Sequence, residues 1–172
     1  MKKIGKYIGD LVYGANDGII TTFAVVAGVA GANLAPVIVV ILGVANLLAD
    51  GFSMATSNYL ARKSEREYNQ KVSGAEEIEK PADHPFKNAM VTFFSFIIAG
   101  AIPLIPYLFG VKEDVFYWAI FATSLALFTV GSLRTLVTGI RWWLAGLEMF
   151  AIGAAAAGVA YGIGNLLGNL AQ

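Results

Sequence analysis

Two aspartates and one glutamate stand within or beside long apolar stretches of this chain: Asp17, Asp50 and Glu148. A carboxylate at membrane depth costs about 2.5–3.5 kcal/mol on insertion scales, so such residues by default mark ion or proton paths. Around Asp50, the residues Asn46, Asp50, Ser53, Met54 and Ser57 follow the i, i+4, i+7, i+8, i+11 spacing of one helical stripe. Asp10, Gly14, Asp17 and Thr21 form a second stripe. At 1.5 Å per residue, Asp17 lies roughly 10 Å inside the first apolar segment. Met54 lies about 10 Å and Asp50 about 16 Å inside the second, which runs the opposite way. Asp17 and Met54 therefore share a layer, with Asp50 one turn deeper. Carboxylate oxygens are hard ligands and a thioether is soft, a pairing that favours a first-row transition metal over Mg²⁺ or Ca²⁺. Carboxylates in such a layer also bind and release protons, which makes proton–metal exchange chemically available. The bland alternative is interhelical hydrogen bonding, which accounts for the serines and threonines better than for two aspartates and a methionine.

These side chains need elements that place them in a bilayer. Of the 172 residues, 57% are hydrophobic and only 14% charged, against about 25% charged in an ordinary soluble domain. Lys and Arg balance Asp and Glu at twelve each, so no basic field points to nucleic acid. There is no cysteine and a single histidine, His84. Disulfides, Cys-based zinc sites and Cys–His catalysis are thereby excluded. No motif sets a nucleophile beside a base, so an enzyme is not expected. Uncharged runs cover Gly18–Ala49, Asn88–Val111, Val115–Leu133 and Met149–Gln172. The first is interrupted by turn residues near Gly31–Pro36. The pattern predicts an all-α membrane protein with five transmembrane helices, over 10–32, 36–60, 87–109, 115–137 and 142–169. Met-Lys-Lys followed by an apolar region has the outline of a signal peptide, but Asp10 and Asp17 favour a retained membrane helix.

Eleven of the twelve basic residues fall on one side of this topology; Lys112 alone falls on the other. The positive-inside rule then puts the N-terminus in the cytoplasm and the C-terminus outside. Residues 1–60 carry the first two helices and the proposed metal path. Residues 61–86 form a charged cytoplasmic helix-and-loop segment, and 87–172 carry the last three helices. Within the charged segment, Arg62 to Lys71 continues helix two outward, and Ser73-Gly74 and Pro81 break it. Gly14/Gly18, Gly158/Gly162 and Gly164/Gly168 are small-xxx-small pairs, suited to packing within one bundle or between two copies.

DLVYGANDGIITTFAVVAGVAGA (Asp10–Ala32), GVANLLADGFSMATSNYLARKSE (Gly43–Glu65) and GLEMFAIGAAAAGVAYGIG (Gly146–Gly164) resemble the first, second and last helices of the vacuolar iron transporter (VIT) family. The specific elements are the Asn-Asp-Gly of helix one and the Ser-Met of helix two. The resemblance implies a homodimeric five-helix exporter that moves Fe²⁺, and in some members Mn²⁺, out of the cytoplasm in exchange for protons. The metal is cargo, and no resident cofactor is implied. Family transport residues carry over to Asp17 and Met54. A glutamate that plant-type members place two turns before that methionine corresponds to Asn46, with Asp50 one turn away. A further family acid falls at Lys6, with Asp10 close by. Glu76 and Glu79 align with the first glutamates of the cytoplasmic metal-binding domain of plant-type members. The segment here is much shorter and reads either as a connector or as a reduced collecting site with Glu77, Asp83 or His84. The expected setting is a multi-pass integral membrane protein, in the cell membrane if the source is prokaryotic. The competing reading is a membrane-embedded interaction or assembly protein whose polar stripes only hold helices together. A carrier of organic cations through acidic helices would need a roomy aromatic-lined pocket.

Overall fold

The computed structural model describes residues 7–73, 84–110, 114–135 and 139–170. The described residues form helices α1 (Ile8–Gly31), α2 (Pro36–Ser73) and α3 (Pro85–Gly100). A short 3₁₀ turn, Ile102–Leu104, leads into α4 (Ile105–Leu108), followed by α5 (Val115–Leu133) and α6 (Trp142–Leu170). Five helical spans are long and apolar enough to cross a membrane, with α3, the turn and α4 counting as one.

The α1–α2 reversal is built from the expected residues. Asn33 adopts φ 54°, a left-handed conformation that asparagine tolerates better than most residues. The Leu34 N–H reaches the Val29 carbonyl and the Asn33 N–H reaches Ala30, both at 3.1 Å, the two bonds of a Schellman cap. Pro36 then opens α2 at a position where its missing N–H costs nothing. As predicted, α2 runs unbroken out of its apolar segment and through Lys71.

The third span differs from the continuous helix expected over 87–109. It breaks after Gly100 into the 3₁₀ turn and then α4. Pro103 and Pro106 explain the change, since each lacks a donor and its ring crowds the carbonyl four residues back. The fourth span ends at Leu133 rather than 137, and residues 136–138 lie outside the described part.

Helix α1 occupies the centre, packing on α2, α3, α5 and α6. Half of its apolar window is buried, against 22% for α2 and for α6. Small residues make this possible. A Cβ on Gly18 would run into the Phe96 backbone. One on Gly164 would run into the Gly28 backbone, and one on Gly168 would lie 2.8 Å from Ala32 Cα. Gly14/Gly18 and Gly164/Gly168 are thus contacts within one chain. Gly158 and Gly162 have nothing within 4 Å. Phe23, Val26, Val39, Leu47, Phe96 and Leu104 fill one core cluster; Ala15, Ile19, Ala99, Ala126, Leu127 and Met149 fill the other.

Candidate functional site

Asp17 and Asp50 are both half-buried, on α1 and α2, and they interact electrostatically across the interface between these helices. Of the two stripes inferred from spacing, this pair alone is near enough to interact in this way, while Gly14 packs against Thr92 and Ser95 of α3. Met54 is partly buried and packs against the cluster of Phe23, Val26 and Phe96. Asn46 lies on the same α2 ridge, and its side-chain amide nitrogen is buried without a hydrogen-bond partner. Ser53 and Ser57 are exposed, so the α2 stripe borders an open edge of the chain rather than an enclosed channel. Thr21 Oγ turns back onto its own helix, donating to the Asp17 carbonyl oxygen at 2.8 Å. Among the described residues no three Asp, Glu or His side chains converge. Two carboxylates alone leave a transition metal under-coordinated. The remaining donors available along this ridge are the Met54 sulfur and the Asn46 amide oxygen. Glu76 and Glu79 lie outside the described residues.

Toward the basic end, the structure reveals a network that spacing had only half disclosed. Asp10 is 5% exposed, and its Oδ1 accepts from Arg62 Nη2 and from Asn58 Nδ2, each at 2.8 Å. Asn58 also donates to Thr92 Oγ at 2.7 Å, and Arg62 Nε donates to Asn58 Oδ1 at 2.9 Å. With its amide oxygen turned toward the guanidinium, Asn88 accepts from Arg62 Nη1 at 3.0 Å. One ion pair thus ties α1, α2 and α3 together roughly two turns from Asp17. A signal was present: Asn46, Asp50, Met54, Asn58 and Arg62 follow one another at intervals of four, a single ridge of α2. Asp10→Asn is expected to lower stability by about 2 kcal/mol, because the charge-assisted bond from the half-exposed Arg62 to a buried carboxylate is lost. Thermal unfolding in detergent checks this; an unchanged transition would mean that the pair is solvated and idle.

Glu148 finds its partner outside the α1–α2 path. Arg134 Nη2, at the end of α5, donates to Glu148 Oε2 at 2.5 Å. The pair borders a cavity of about 410 Å³ against Tyr13 and Asn16 of α1. With the glutamate side chain 57% exposed, Glu148→Gln is expected to cost no more than about 1 kcal/mol and to leave transport unchanged. A transport defect with normal stability would move Glu148 onto the path.

Five spanning helices, with two carboxylates and a thioether on facing ridges of α1 and α2, define a multi-pass membrane protein with an intramembrane polar ridge. The chain belongs to the VIT family, whose defining pattern matches residues 8–80 and 73–165. It is similar to Vacuolar iron transporter 1 of Oryza sativa subsp. japonica, 24% identical over 92% of this chain and 84% of that protein. Over a shorter stretch it is 41% identical to the Vacuolar iron transporter of Plasmodium falciparum, covering 34% of this chain and 21% of that protein. The Toxoplasma gondii Vacuolar iron transporter is 40% identical over 42% of this chain and 24% of that protein.

Proposed function

We propose that this chain transports divalent transition metal, Fe²⁺ first and Mn²⁺ second, out of the cytoplasm in exchange for protons. The single observation that supports it most is the approach of Asp17 to Asp50 across α1 and α2, with Met54 on the same ridge, in a member of the VIT family. Two like carboxylates facing each other in an apolar layer favour a bound dication, or a proton in its absence. That is the exchange an antiporter requires. The proposed ligands are Asp17, Asp50, Met54 and Asn46, and the 61–86 segment is a connector rather than a collecting domain. The open edge beside Ser53 and Ser57 supports a homodimer, in which a second copy covers the path. The outward Gly158/Gly162 pair supplies a further surface on which helices can approach closely.

Reconstitution tests the reading. Liposomes holding the full chain should accumulate Fe²⁺ when their lumen is acidic, and metal entry should raise the lumenal pH. Metal flux indifferent to the gradient would overturn exchange, and no flux of Fe²⁺ or Mn²⁺ would overturn transport.

A further inference from the structure

Asp10 and Asp17 stand seven residues apart on α1, so they share one face of that helix about 10 Å apart along its axis. The α2 ridge of Asn46, Asp50, Met54, Asn58 and Arg62 meets that face twice, with Asn58 and Arg62 at Asp10 and Asp50 at Asp17. The two meetings are levels of one α1–α2 seam, walled by α3 at Gly14 and Thr92. Arg62 stands at the end of the seam where α2 continues toward Ser73.

The pairing at Asp10 is lopsided. Oδ1 accepts from both Arg62 Nη2 and Asn58 Nδ2, while Oδ2 is buried with no hydrogen-bond partner. A clamp that served stability alone would engage both carboxylate oxygens with the two-pronged guanidinium, and an unpaired buried acceptor costs free energy. Arg62 is less committed than Asp10. Its side chain is 36% exposed, and its other acceptors, the amide oxygens of Asn58 and Asn88, are neutral. An outward turn of Arg62 uncovers three oxygens together, both of Asp10 and the amide oxygen of Asn58. Such oxygens are hard ligands that suit a partly hydrated dication.

We propose that Arg62 is a tethered counter-ion that closes the cytoplasmic end of this seam, holding Asp10 until an incoming dication displaces it and passes on to Asp17. The proposal rests on the transport reading above. A guanidinium and a dication at Oδ1 repel one another, so they occupy Asp10 in turn. Because Arg62 is attached to the chain, its competition does not depend on metal concentration, and it weakens entry from that side by a fixed factor.

Uptake of Fe²⁺ by liposomes holding the full chain, with an acidic lumen and varied external Fe²⁺, tests this. Arg62→Gln should lower the half-saturating Fe²⁺ concentration by about tenfold, the weight of one charge-assisted bond. Arg62→Lys keeps the charge but loses the fork, and should lower it by about threefold. A purely structural Arg62 predicts another pattern, a lower maximal rate at an unaltered half-saturating concentration. Lys63→Gln is the control: the adjacent cation pairs with Glu67 at 3.9 Å and is half-exposed, so its loss should shift half-saturation by less than about twofold. An unaltered or raised half-saturating concentration in the Arg62 variants would overturn the gate, as would an equal fall in Lys63→Gln, which would show a general surface field. Should Arg62→Gln not fold, Arg62→Lys decides in the same direction. Native uptake with unaltered Arg62 variants would overturn the gate alone, whereas no uptake by the native chain would overturn the transport reading and the gate with it.

Discussion

Asp17→Asn is expected to lower proton-driven Fe²⁺ uptake into liposomes by about 100-fold while leaving the bundle folded. The magnitude follows from what the residue contributes. Even groups that merely orient metal ligands cost 10–100-fold when removed, and a carboxylate acting as a direct ligand belongs at the upper end of that range. The fold should survive because asparagine has the same shape, and because removing a charge from the apolar layer relieves part of the cost of inserting it. Among the described residues, the Asp17 side chain makes no hydrogen bond that holds another helix; its carbonyl, not its carboxylate, receives Thr21. This separates transport from the assembly reading, which predicts weakened oligomers and unchanged metal tolerance. Undiminished uptake by a well-folded Asp17→Asn protein would sink the α1–α2 metal path. Asp50→Asn makes a useful companion, since it removes the charge facing Asp17 without touching the Asn-Asp-Gly turn of α1.

Gly18→Leu should disturb the structure more than either Asp10→Asn or Glu148→Gln. The α1–α3 crossing is tight at this glycine: an added Cβ would stand 3.1 Å from Phe96 Cα and closer still to its carbonyl. Backbone atoms cannot rotate aside as a side-chain tip does, so α1 and α3 must separate. Overpacking costs typically 1–3 kcal/mol, and here the separation also opens the Ile19 and Phe96 core. We expect a loss of about 3 kcal/mol or more, seen as aggregation or a strongly lowered unfolding transition in detergent. Gly158→Leu is the control. With nothing within 4 Å of that position in one chain, its unfolding should stay close to the native transition. If the two variants behaved alike, the close α1–α3 contact would be wrong. A Gly158→Leu protein that folds but no longer self-associates would mark α6 as the surface between copies.

Much of the candidate site was legible before any tertiary structure. Helical period assigned Asp17, Asp50 and Met54 to faces, and rise per residue assigned them to layers. Both inferences rest on the fixed pitch of an α-helix. The Asn33 cap and the Pro36 start were equally readable, being local backbone chemistry. The break at Pro103 was readable in principle, but the apolar run around it masked a turn that still spans the bilayer.

What a single helix's period cannot express is which helix lies beside it and at what rotation. Asp10 and Arg62 are fifty-two positions apart, and their pairing exists only because α1, α2 and α3 meet at one end. Arg141 stands two turns before Glu148 in the sequence, yet the packing of α5 on α6 sets Arg134 against the glutamate. Three glycine pairs looked alike as sequence, yet two sit at close backbone contacts between the first helical span and its neighbours while Gly158/Gly162 has nothing within 4 Å. Five apolar segments long enough to cross a membrane, and the helical stripe on which Asp17 and Asp50 each lie, could be read from the chain alone, because these depend on composition and helical pitch along one element. Only the tertiary structure decided the partners of Asp10 and Glu148 and the glycines that seal the bundle. Those depend on the relative rotation of helices, which is set by side chains distant in the chain that must pack without overlap.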